Sequence, residues 1–90
     1  MIVINPGNTQ PVNTMYAWLS IDQDGNEGLL SMQVHTQHMP LVFAKYENAV
    51  HREILRYARH AADETGMTVR LCSFSAKLVL QEVSPTPESP

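Results

Sequence analysis

The sequence predicts an α+β fold: a small antiparallel sheet in the order β-β-α-β, with a further strand available at its end, and one amphipathic helix packed on one face. Three observations carry this reading. MYAWLSI and GLLSMQV are short strand-forming runs on either side of the turn-forming DQDGNE. Apolar residues then recur at helical spacing up to Gly66, a helix-stopping residue. Beyond it, MTVRLCSFS returns to β-branched and aromatic strand character.

Taken in order, residues 1–14 hold Pro6, Gly7 and Pro11 and read as an arm, with at most an edge strand at residues 2–4. Asp24-Gly25 predicts a two-residue type I′ turn, which pairs Ile21 with Gly28, Leu19 with Leu30, and Ala17 with Met32. In that register the helix covers Leu19, Leu30 and Met32, leaving Tyr16, Trp18 and Leu29, together with Phe74, on the uncovered side of the sheet. The helix is expected to start near residues 45–47 and to end with Gly66 as a left-handed cap. Tyr46, Val50, Ile54, Tyr57, Ala58 and Ala61 make its apolar stripe. Lys45, Arg52, Arg56 and Arg59, joined by Asp63, fall within about 60° of one another on the opposite side. After MTVRLCSFS, the run LVLQEV at 78–83 reads as a second strand of a hairpin or the continuation of one long bulged strand. The proline-rich SPTPESP at 84–90 reads as a disordered tail, which leaves one folded domain over 15–83.

Ninety residues suffice for a single domain with a small core. A hydrophobic fraction of 43% with 17% charged residues is a folded composition. A chain of this size hides only about 60% of its unfolded surface, so a homodimer or a protein partner is expected. Six Lys and Arg against nine Asp and Glu, a formal charge of -3, argue against a surface devoted to nucleic acid. The single cysteine, Cys72, forms no intramolecular disulfide, in keeping with a reducing compartment. The opening MIVINPGN is unlike a signal peptide, and no run approaches the length of a membrane span, so a cytoplasmic location is the expectation.

Candidate chemistry is sparse. DQDGNEG sets Asp22, Asp24 and Asn26 at calcium-loop positions 1, 3 and 5, but Glu27 stands where the bend needs glycine and Gln33 where a bidentate Glu is needed. It reads as a turn. His35 and His38 in HTQH, with His51, His60 and Cys72, lack the paired spacing of a zinc site, and no phosphate loop, GxSxG or HExxH occurs. No cofactor, metal or catalytic residue is therefore assigned. Two surfaces stand out instead: Tyr16, Trp18, Leu29 and Phe74 as a self-association face, and Lys45, Arg52, Arg56 and Arg59 as a strip for an acidic protein partner. The expected role is a non-enzymatic protein–protein interaction module. The alternatives are a small enzyme or ligand- or metal-binding domain with a site between helix and sheet or across a dimer, using His35, His38 or Cys72, and a nucleic-acid accessory factor. As a class, a short α+β chain without catalytic motifs resembles the accessory proteins of phages and mobile elements, and that resemblance implies binding to a host protein and modulating or inhibiting it.

Overall fold

Strand β1 (Met15–Ile21) lies at the centre of the sheet in the computed structural model, which describes residues 11–87. One of its edges pairs along its whole length with β6 (Thr68–Phe74), from Met15 opposite Phe74 to Ile21 opposite Thr68. The other edge is shared by two short strands, β2 (Glu27–Leu29) and β5 (Val42–Phe43), and all pairings are antiparallel. Between these two the chain leaves the sheet as a separate hairpin, β3 (Ser31–Val34) with β4 (Gln37–Pro40). A short helix α1 (Tyr46–Ala49) and the main helix α2 (Arg52–Thr65) complete the α+β fold.

Trp18 marks the point where the partner strand changes. Its N–H donates to Leu41 O at 3.1 Å and its C=O accepts from Leu30 N at 2.9 Å, while Leu41 N donates to Leu30 O at 2.9 Å. The run GLLSMQV, expected to be one strand along β1, is thus cut at Leu30, and the HTQHMP that follows it supplies β4. Burial explains the exchange. Bringing Val42 and Phe43 onto β1 seats Leu41 at 0% exposure, the most fully buried large side chain among the described residues, worth roughly 1.5–3 kcal/mol.

The turn also differs from the expected type I′. Gly25 N donates to Asp22 O at 3.0 Å, Asp22 N donates to Asn26 O at 3.0 Å, and Gly25 alone in the loop has a positive φ, of 85°. This is a three-residue loop, a type I turn closed by a left-handed glycine. The extra residue shifts the register by one, so Leu29 rather than Leu30 faces Leu19. Because side chains alternate across a strand, the slip reverses which partners share a face.

The helical region is interrupted rather than continuous. Glu53 N would donate to Ala49 O in an unbroken helix, but it donates to Nδ1 of His51 at 3.3 Å, and Trp18 Nε1 donates to Ala49 O at 2.9 Å. Two side chains thereby satisfy the backbone groups that the break releases. The far end follows expectation: Gly66 caps α2 at φ 72° and its N–H donates to Ala62 O at 2.9 Å. Residues 75–87 carry no secondary structure, so the strand expected at 78–83 does not form within the chain. The edge strand expected at residues 2–4 lies outside the described residues.

Candidate interaction surfaces

The register of β1 sorts the sheet into two faces. Tyr16, Trp18 and Ser20 share one face with Phe43, Gly28, Ser73, Leu71 and Val69, by direct cross-strand pairing. The helices lie here. Besides the Trp18–Ala49 hydrogen bond, the Tyr16 and Tyr46 rings meet edge to face, with centroids 5.7 Å apart. Tyr57 of α2 donates to Ser31 O at 2.7 Å and so ties the root of the β3–β4 hairpin to the helix. An open groove of about 550 Å³ remains between α2 and the sheet, lined in part by Trp18, Leu55, Ala58, Arg59, Met67 and Val69.

Met15, Ala17, Leu19 and Ile21 form the other face, with Leu29, Val42, Cys72 and Phe74 across the strands. Ala17, set between Val42 and Cys72, is buried, whereas Leu29 and Phe74 are 48% and 51% exposed and Met15 and Val42 are also exposed. The four residues expected to make one aromatic face are therefore divided. Tyr16 and Trp18 lie on the helix side, Leu29 and Phe74 on the open side. The one-residue register shift moves Leu29. Pairing with β1 places Phe74, because Phe74 stands opposite Met15 rather than Tyr16.

The basic strip is likewise rearranged. Lys45 is the N-cap of α1, beyond the break, and Arg52, Arg56 and Arg59 alone share α2. Arg56 lies 3.8 Å from Glu53 and Arg59 3.8 Å from Asp63, and all four side chains are well exposed. Exposed pairs at this distance contribute little stability, so the strip is a solvated helix face with partial local neutralisation.

Asp22 gives the DQDGNEG motif its meaning. Its Oδ1 accepts from the backbone N–H groups of Asp24 and Asn26, each at 2.9 Å, and its Oδ2 accepts from Asn26 Nδ2 at 3.2 Å. These bonds, that from the Asn26 backbone foremost, hold its carboxyl below the usual carboxylate range. The carboxylate oxygens are used in closing the loop. His35 lies at the β3–β4 turn at φ 57°, His38 in β4 and Cys72 in β6. Among the described residues no group of three or more His, Cys, Asp or Glu side chains gathers to hold a metal, and no helix is long and apolar enough to cross a membrane.

Sequence reading missed Leu41, His51 and the Tyr57 hydroxyl as organising groups. Only the position of Leu41 between Pro40 and Val-Phe hinted at a strand entrance, and histidine is an uncommon N-cap. No known protein family, curated protein or solved structure matches the chain.

Proposed function

We propose that this chain is a non-enzymatic protein–protein interaction module that acts as a homodimer. The observation that carries the proposal is the amount of apolar surface left uncovered: Leu78, Val79, Leu80 and Val83 are 72–87% exposed, next in the chain to the open sheet face bearing Phe74 and Leu29. Such surface in a single copy invites association, because burying it is favourable by about 25 cal/mol per Å².

Size-exclusion chromatography with light scattering tests the reading on the full chain. The expected mass is twice that of one chain at low micromolar concentration. A monomer across the accessible concentration range overturns it.

A further inference from the structure

We propose that residues 78–83 add as a strand to the outer edge of β6 in a second copy, which returns its own segment, so that two sheets join about a two-fold axis at Ala76. This rests on the self-association reading and specifies its geometry.

The backbone directions come from β1. Both backbone groups of Trp18 are taken by Leu30 and Leu41, so those of its neighbours Ala17 and Leu19 turn to β6, where they meet Cys72 and Arg70. Val69, Leu71 and Ser73 consequently aim their N–H and C=O groups away from β1, at an edge where no described residue pairs with them. An unpaired edge of this kind is a template for another strand.

LVLQEV is the segment best suited to fill it. It is rich in strand-forming residues, begins shortly after Phe74, and is uncovered in the single chain. Folding back on its own β6 would need a tight turn through Ser75-Ala76-Lys77. That tripeptide lacks the Gly, Asn or Asp that tight hairpin turns use for positive φ. The strand direction therefore runs on past Phe74, and a second copy meeting it antiparallel closes the pair symmetrically.

Side-chain chemistry selects the register. With Ala76 on the axis, Arg70 stands opposite Glu82, Cys72 opposite Leu80 and Phe74 opposite Leu78, all on the open face. On the helix side Val69 meets Val83, Leu71 meets Gln81 and Ser73 meets Val79. Moving the axis to Lys77 sets two ammonium groups against each other. Moving it to Ser75 sets Arg70 against Leu80. The Ala76 register pairs opposite charges and continues the apolar face through Leu78 and Leu80.

The test uses full-length chains in light scattering and cross-linking. Arg70→Glu and Glu82→Arg are each expected to weaken the dimer about tenfold, and the double variant to restore it. In a Cys72→Ser background, Ala76→Cys is expected to give a disulfide-linked dimer on mild oxidation, while Gln81→Cys, whose partner is Leu71, does not. A wild-type dimer that neither charge reversal weakens, or in which Gln81→Cys links as readily as Ala76→Cys, overturns this geometry and leaves self-association standing. A wild-type monomer overturns both.

Discussion

The two faces of β1 are built from alternate residues of one apolar run and meet opposite fates. Under the helices, Tyr16 and Trp18 are aromatic with polar ends, and Trp18 delivers its indole N–H to Ala49 O. On the open side, Met15, Leu29, Val42 and Phe74 offer apolar area without a polar handle. Hydrophobicity does not separate the faces; hydrogen bonding does. A half-buried indole needs an acceptor, and the carbonyl at the end of α1 needs a donor, so each fixes the other where a purely apolar face has no directional demand. The helix side is held in one arrangement, and the open side is left to whatever apolar surface meets it.

Trp18→Ala breaks the covered face most severely. It removes a large side chain and strips Ala49 O of its donor, with an expected loss of about 3 kcal/mol in urea unfolding. Tyr57→Phe is next, at about 1 kcal/mol in the same measurement, because it deletes only the bond to Ser31 O and unties the hairpin root. Leu29→Thr on the open face is expected to change the stability of the fold by about 0.5 kcal/mol or less. A loss near that of Trp18→Ala would show that Leu29 is covered in solution. The smallest effect belongs to the Asp22 loop. A carboxyl whose pKa lies lower in the folded state stabilises fully above its unfolded value of 3.8 and loses that contribution as pH falls through the lowered folded value. Acid titration is expected to show the loss beginning below about pH 4 in wild type and absent in Asp22→Asn, with amide exchange at Asp24 and Asn26 as the readout.

Much of the architecture was legible where short-range chemistry is decisive. Asp24-Gly25 announces a turn, Gly66 announces a helix end, and of the expected apolar stripe Val50, Ile54, Tyr57, Ala58 and Ala61 turn inward to some degree, while Tyr46 is left exposed. The turn subtype was not legible, because Asp-Gly serves a two-residue loop and a three-residue loop equally well, and the choice depends on whether Asp22 can gather both Asp24 and Asn26. That single residue of register carried Leu29 to the other face.

The sequence by itself determined the class of fold, the position of the Asp22–Asn26 turn and of the Gly66 cap, and the abundance of strand-forming apolar residues, all consequences of local propensity and periodicity. Tertiary structure alone decided which face the helices cover, where β1 exchanges Leu30 for Leu41, and that the helical region breaks at His51. Those outcomes depend on groups distant in the chain, Trp18 with Ala49 and Leu41 with Trp18, whose hydrogen bonds and burial exist only once the strands have met.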